Sequence, residues 1–208
     1  MKVLLLNGSP NASGCTFTGL TEIATELELA DIEAEIFQIG KKPISGCIAC
    51  GNCRKENKGC VFANDGVNEF VEKVKEVDGV VFGAPVHFAG MSGAMKSFLD
   101  RVFYTGAVHF RGKPAAVMTS VRRGGSSATL DGLLKYPAYG EMPIVSGRYW
   151  NMIHGNTPEQ VLQDEEGMQN LRFVGRNMAW MLKCIEAGCA AGIQKPELEQ
   201  KVWTNFVR

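Results

Sequence analysis

The chain has 208 residues, 45% of them hydrophobic and 21% charged, which is enough to bury one sizeable core without dividing into several domains. Lys plus Arg and Asp plus Glu each number 22, for a formal net charge of zero. No excess of positive charge is therefore available to neutralise a nucleic-acid backbone or an anionic membrane surface.

The N-terminal apolar run "VLLL" is too short for a signal-peptide core, and no later run is long enough to span a bilayer; a cytoplasmic protein with neither nucleic-acid nor membrane partners is expected. Residues 2–7 read as a buried strand. After a loop, Phe17, Leu20, Ile23, Ala24 and Leu27 recur at helical spacing. "EAEIFQI" at 33–39 resumes strand patterning, and Val67, Phe70, Val71, Val74 and Val77 mark one face of a second helix. "GVVFGAP" at 79–85 is another buried strand, followed by a helix with Met95, Phe98, Leu99, Val102 and Phe103 on one side. "PAAVMTS" at 114–120 is the fourth strand. A helix near Ser127–Leu134, a short strand at Met142–Val145 and a long helix over about Gly167–Ile185 complete the alternation. Strands alternating with helices require crossover connections, so the expected class is α/β, a doubly wound five-stranded parallel sheet with helices on both faces. Neither an internal repeat nor a low-complexity linker divides the chain. One domain over 1–208 is expected, with a cysteine-rich insertion at about 44–64.

The loop "GSPNASGCT" at 8–16 leads from the first strand into a helix. Such a turn directs free backbone N–H groups and the positive end of the helix dipole outward, and so attracts an anion. Ser9, Ser13 and Thr16 add hydroxyls, while Gly8 and Gly14 let the backbone approach a phosphate. No Lys follows Gly14 and G-x-G-x-x-G is absent, so neither a Walker loop nor a dinucleotide fingerprint is met; a phosphate monoester is the better guest. The alternative is a polar turn in which Ser13 or Thr16 merely caps the helix. A second stretch, "GAPVHFAGMSGAMKSFLDR" at 83–101, sits where the third strand ends. Pro85 stiffens its turn and Gly90 and Gly93 permit a tight backbone against which a flat ligand can lie.

Together these two loops resemble the flavodoxin-like NAD(P)H-dependent FMN reductase family, with its approximate patterns G-S-P-R-x-x-G-N-T and S-P-V-Y-F-G-x-x-S-G-x-(L/M)-K-x-F-x-D-R. The likeness continues through "FRGKPAAVMTS", Gly124 and Gly125, "HG" at 154–155 and "DEEGM" at 164–168, and so covers most of the chain. The resemblance implies FMN, its phosphate held by Ser9, Asn11, Ser13, Cys15 and Thr16 and its ring lying against Pro85, Val86, His87 and Phe88. A third loop, Ser120 to Gly125 with Arg122 and Gly124, completes the flavin rim. Asn11 stands where the family usually has a basic residue, which removes a charge-assisted phosphate contact, and Cys15 where it usually has Asn, which removes a side-chain hydrogen bond. His87 replaces the usual Tyr and makes the charge at the flavin edge sensitive to pH; it is the one side chain weighed for a catalytic role, since the chemistry is otherwise the flavin's.

Seven cysteines is an odd number, and four of them form C-x2-C-x2-C-x6-C at Cys47, Cys50, Cys53 and Cys60. Three thiolates at intervals of three residues can wrap a cubane, with the fourth closing the site. Zinc, a redox disulfide at Cys50 and Cys53, and free thiols are the alternatives. The loop resembles the compact motif of the family's iron–sulfur flavoprotein branch, which implies a 4Fe-4S cluster. Cys15 at a helix N-terminus reads as structural, Cys184 and Cys189 in or just after an apolar helix as small buried hydrophobes, and His109 and His154 as satisfied or exposed imidazoles. The expected function is an FMN-dependent oxidoreductase passing electrons from NAD(P)H or a reduced carrier to a small acceptor such as a quinone, a nitroaromatic or a flavin. An electron relay fed by ferredoxin and a non-catalytic flavin-binding module are the alternatives, and the family implies a homodimer or homotetramer.

Overall fold

The computed structural model describes residues 1–55, 58–200, 202 and 204. Its central strand, β1 (Lys2–Asn7), is buried over its last five residues, and its side chains alternate between two cores. Leu4 and Leu6 enter one cluster, Val3 and Leu5 the other. This two-sided burial is why the strand reads as an uninterrupted apolar run.

Five strands lie parallel in the order β2 (Glu33–Gln38), β1, β3 (Gly79–His87), β5 (Ala115–Val121) and β6 (Met152–His154). A short strand β4 (Gly90–Met91) turns back antiparallel on the end of β3. Helices α1 (Cys15–Glu28), α5 (Pro158–Val161) and α6 (Glu165–Ala190) contribute Leu20, Val161 and Leu171 to the core on one face. Helices α2 (Val67–Lys75), α3 (Gly93–Gly106) and α4 (Ser126–Tyr139) contribute Phe70, Phe98 and Leu133 to the core on the other. This is the flavodoxin-like α/β arrangement. The chain leaves β1 toward β2 on one side and returns to β3 on the other, so the loops after β1 and β3 diverge and open a crevice at the carboxyl edge.

The fifth strand differs from the sequence expectation. Residues 142–145 form only an isolated bridge, Ala115 to Ile144, with backbone bonds from Ala115 to Pro143 (2.8 Å) and from Val145 to Ala115 (2.7 Å). Pro143 has no N–H to continue a ladder. The sheet is instead completed by Met152–His154, within the connection read as polar. Asn151 guides it there: its carbonyl accepts from the Thr119 N–H at 2.9 Å, and its side chain donates to Val117 O at 2.9 Å. Helix α4 runs on to Tyr139 with Pro137 in its last turn. Acidic residues, Glu165 and Glu166, begin α6, and Asp164 caps it by accepting from Gly167 N at 3.0 Å. Among the described residues no helix is long and apolar enough to cross a membrane.

Helices α1 and α6 pack closely because Gly175 has no side chain. A Cβ there would sit 2.7 Å from Glu26 Cβ and 2.9 Å from the Ile23 carbonyl. Arg176 to Glu26 (2.8 Å) and Arg172 to Glu22 (2.6 Å) flank the contact; such partly exposed pairs add little compared with the packing. Gly175→Ala is expected to destabilise the protein by about 1–3 kcal/mol through overpacking against backbone. Urea denaturation measures it, and an unchanged midpoint would show that the helices can separate at no cost.

Candidate functional site

The loop after β1 is fixed by an amide pair, Asn7 with Gln38. Asn7, fully buried at the end of β1, accepts from Ser9 N at 3.1 Å and donates to Gln38 Oε1 at 2.5 Å. Gln38 returns a bond to Ser9 O at 2.6 Å, and Ser9 Oγ accepts from Asn11 N at 3.1 Å. Gly8 N donates to Gly83 O at 2.8 Å, and a Cβ on Gly8 would lie 2.5 Å from Met95 Sδ. Thr16 is buried and its hydroxyl meets Ser120 Oγ at 2.8 Å, joining the first loop to the end of β5. Helix α1 is capped by Gly14 with no side-chain hydrogen bond, so neither Ser13 nor Thr16 serves as the cap that the bland alternative required. The first-turn amides of α1 thus have no capping side chain, and Asn11 and Ser13 lie exposed beside them. Such a cradle of amides and hydroxyls fits a phosphate. Cys15 Sγ lies 3.8 Å from Gly155 O, and burial pushes its thiol above the ordinary cysteine range.

Beyond β3 the chain makes a two-residue hairpin. His87 pairs with Gly90, and the central residues Phe88 and Ala89 have φ of 48° and 58°. Positive φ at both positions is the mirror-image turn that suits hairpin twist and normally recruits Asn-Gly; with Phe and Ala it costs on the order of 1–2 kcal/mol per residue. The strain lies at Phe88 and Ala89. Gly90 and Gly93, expected to provide the tight backbone, have open space where a Cβ would stand. The glycine that matters is Gly125, with φ of 96° and a hypothetical Cβ only 2.4 Å from Ala89 Cα. It brings the third loop against the hairpin. Pro85 and Val86 are half-buried, His87 is exposed, and Phe88 projects fully into solvent. Arg122 and Gly124 are exposed next to Ser120, which is registered against Pro85. The structure therefore gathers the candidate residues of all three loops at one sheet edge.

The cysteine loop leaves the same edge after β2. Cys47 and Cys50 are exposed, Cys53 and Cys60 half-buried, and all four are free thiols. They line one small cavity, about 30 Å³, together with Phe62, Arg101 and Tyr104. Residues 56 and 57 of the expected insertion lie outside the described residues. Among the described residues no three His, Cys, Asp or Glu side chains converge as a single-ion site. Four sulfurs around a common cavity nonetheless form the donor set that a cluster takes. Cys60 is the best anchored: Asn68 of α2 accepts from its N–H at 2.7 Å and donates to its carbonyl at 3.0 Å. Its sulfur accepts from buried Arg101, whose Nη1 and Nη2 also pair with Asp65. Burial opposes the Arg101 charge, but the Asp65 and Cys60 contacts outweigh it and hold its pKa above the ordinary value.

Asn7, Gln38, Ser92, Asp65 and Arg101 were not among the expected site residues. A polar residue ending an apolar strand and an arginine within the α3 core pattern were the available signals. Cys184 and Cys189, expected to be buried, are exposed on α6 beside a cavity of about 520 Å³. Their part of α6 extends past the core, whose last buried α6 residue is Leu182. His154 lies near Asp164, 3.3 Å from Nδ1 to Oδ2, in the cap of α6.

Residues 1–157 match the family model described as NADPH-dependent FMN reductase. The chain is 29% identical to an iron-sulfur flavoprotein of Methanocaldococcus jannaschii, covering 89% of this chain and 100% of that one. It is 31% identical to an iron-sulfur flavoprotein of Archaeoglobus fulgidus, covering 87% and 97%. An NAD(P)H:quinone oxidoreductase from Methanothermobacter marburgensis superposes with a TM-score of 0.62 at 18% identity, over 86% of this chain and 96% of that one, a likeness of fold.

The raised pKa of Cys15 gives a chemical test of the first loop. A raised pKa leaves less thiolate at neutral pH, so Cys15 is expected to react with iodoacetamide more slowly than free cysteine at pH 7. Its rate should keep rising above the ordinary thiol pKa of about 8.5. Peptide mapping of alkylation against pH measures this, and a Cys15 that reacts faster than free cysteine at pH 7 would contradict the burial assigned to it.

Proposed function

This chain belongs to the NADPH-dependent FMN reductase family, in its iron–sulfur flavoprotein branch, and from that premise we propose an FMN-dependent oxidoreductase with a second redox centre in the cysteine loop. It takes electrons from NAD(P)H or a reduced carrier such as ferredoxin and delivers them to a small acceptor of the quinone, nitroaromatic or flavin class. The observation that carries this reading is the meeting of three loops at the β1/β3 switch point, with the uncapped amides of α1 facing the crevice. FMN, when bound, supplies the electron-accepting ring. The chain's own residues do the rest. Gly8 to Thr16 offer backbone and hydroxyl donors to the phosphate, and Pro85 to Phe88 with Ser120 to Gly125 border the ring. Ser9 Oγ accepts from Asn11 N yet keeps its own proton to donate. One proton of the Thr16 and Ser120 hydroxyl pair is likewise free.

Joint replacement of Ser9 and Thr16 by Ala is expected to weaken FMN binding by about 1.5–3 kcal/mol for each hydrogen bond to the phosphate that is lost. Fluorescence titration of the apoprotein with FMN measures it; an unaltered affinity would remove the phosphate from this loop.

For the second centre, the four thiols around one cavity and their spacing support a 4Fe-4S cluster held by Cys47, Cys50, Cys53 and Cys60. Anaerobically purified protein should contain iron and sulfide in the ratio of one such cluster per chain, and Cys50→Ser should lower both sharply while FMN remains bound. Visible absorption with iron, sulfide and zinc assays checks this. Tightly held zinc without iron would make the loop a structural clip, and absence of both metals would leave free thiols or a redox pair. Neither result touches the flavin loops, which are separate in sequence.

A further inference from the structure

Arg101 is only 1% exposed, and its guanidinium is fully engaged. Nε and Nη2 both donate to Cys60 Sγ, at 3.2 and 3.1 Å. Nη1 also reaches Ser45 O at 3.2 Å and Nη2 reaches Phe62 O at 3.1 Å. Asp65 accepts from both terminal nitrogens, and the guanidinium lies over the Phe62 ring, 4.8 Å from its centroid. Asp65 and the Ser45 and Phe62 carbonyls account for the four terminal N–H groups, and the fifth, Nε–H, is given to the Cys60 sulfur, which Nη2 also reaches by sharing its hydrogens among three acceptors. A sulfur is a weak acceptor as a thiol and a strong one when it carries negative charge. The other cysteines have no such support. Among the described residues, Cys47 Sγ accepts from Ala49 N at 3.4 Å and from no other group, and no hydrogen bond reaches the sulfur of Cys50 or Cys53.

We propose that Arg101 is a positioning residue for the centre in the cysteine loop: it fixes Cys60 as the ligand already in place before the others close, and its charge and paired N–H···S bonds ease addition of an electron to that centre. The inference rests on the reading of the four cysteines as cluster ligands. It goes beyond that reading by assigning the Arg101 and Asp65 pair, buried between α3 and the loop, to the centre's redox poise. Each N–H···S bond and the positive charge stabilise the more negative, reduced state, so reduction becomes easier. Reduction adds one electron from the donor, dithionite in the test, and no bond to Arg101 is formed or broken. The same contacts order the last segment of the loop: Arg101 holds the side chain of Cys60 while Asn68 holds its backbone.

The test compares anaerobic wild-type protein with Arg101→Lys, which keeps a charge beside Asp65 but withdraws the fork, and with Arg101→Gln/Asp65→Asn, which leaves no buried charge unpaired. Iron and sulfide content, melting temperature and a dithionite titration followed by EPR are measured for each. The expected result is a reduction equilibrium at least tenfold less favourable in one or both variants, about 59 mV for one electron, or loss of the cluster from a variant that melts like the wild type. Wild-type potential and full cluster content in both variants would overturn the proposal and leave the cluster intact. A wild-type protein without iron and sulfide would overturn the cluster reading first, and this inference with it. Should both variants fail to fold, pulsed EPR of the reduced centre with Arg101 intact decides the matter, using protein with isotope-labelled arginine in which Arg54, next to Cys53 in sequence, is replaced by Lys so that its guanidinium does not confuse the signal. Coupling to guanidinium nitrogen supports the proposal and its absence overturns it.

Discussion

The arrangement at the sheet edge depends on one amide pair, buried Asn7 with half-buried Gln38. Asn7 has no solvent exposure and spends its side chain on Ser9 N, Gln38 Oε1 and the Asn11 carbonyl. An unpaired amide in that position would lose its hydration without replacement, at a cost of about 1–3 kcal/mol, so the loop must return to meet it. Gln38 closes the circuit by donating to Ser9 O. Because Gln38 ends β2, the strand from which the cysteine loop departs, the conformation of the proposed phosphate loop is tied to the point where the other loop begins.

The same edge holds its strain where the backbone cannot relax. Phe88 and Ala89 occupy positive φ, which neither residue favours. The hairpin is held by its β3 pairing on one side and by Gly125 on the other, where a Cβ would clash with Ala89 Cα at 2.4 Å. A Phe ring displayed to solvent on a strained turn is poorly explained by folding stability. It is better explained by the planar ligand proposed to lie beside it, since backbone strain persists where surrounding structure over-determines it and clusters at binding sites.

Much of this architecture was legible in the sequence because it follows from periodicity. β1, β3 and β5 are buried over most of their length and read as apolar runs, the edge strand β2 was read from the pattern of EAEIFQI although only Phe37 of its six residues is buried, and α1, α2 and α3 carry their buried residues at the expected spacing. What escaped was set by tertiary contacts. β6 has three residues and no pattern of its own; it exists because Asn151 docks on Thr119 and Val117. The nearby Met142–Val145 segment looked more like a strand but carries Pro143. The three loops proposed to hold the flavin were legible as motifs, yet their bracing residues were not. Gln38 and Arg101 act on sulfur or backbone groups 29 and 41 residues away, and no local spacing encodes such a partner. Thr16 was identified, but its partner Ser120, 104 residues distant, could be joined to it only by the fold.

Helix α3 links the two proposed centres. At its N-terminus Ser92 accepts from Met95 N at 3.3 Å and donates to Gly8 O at 3.4 Å, which places the cap against the proposed phosphate loop. Nine residues on, about 14 Å along a helix at 1.5 Å per residue, Arg101 grips Cys60. A single packed helix, its Met95, Phe98, Leu99 and Val102 fully buried, therefore sets the separation between the two loops. Such a helix cannot lengthen or bend without breaking its own hydrogen bonds and its core contacts at once. Cys47 and Cys50 of the cysteine loop are exposed, but its last proposed ligand, Cys60, is referred through Arg101 to the same helix that braces the proposed phosphate loop. Electron exchange between the two proposed centres would need a reproducible distance, and α3 rather than the loops is the element that fixes the spacing of the residues proposed to hold them.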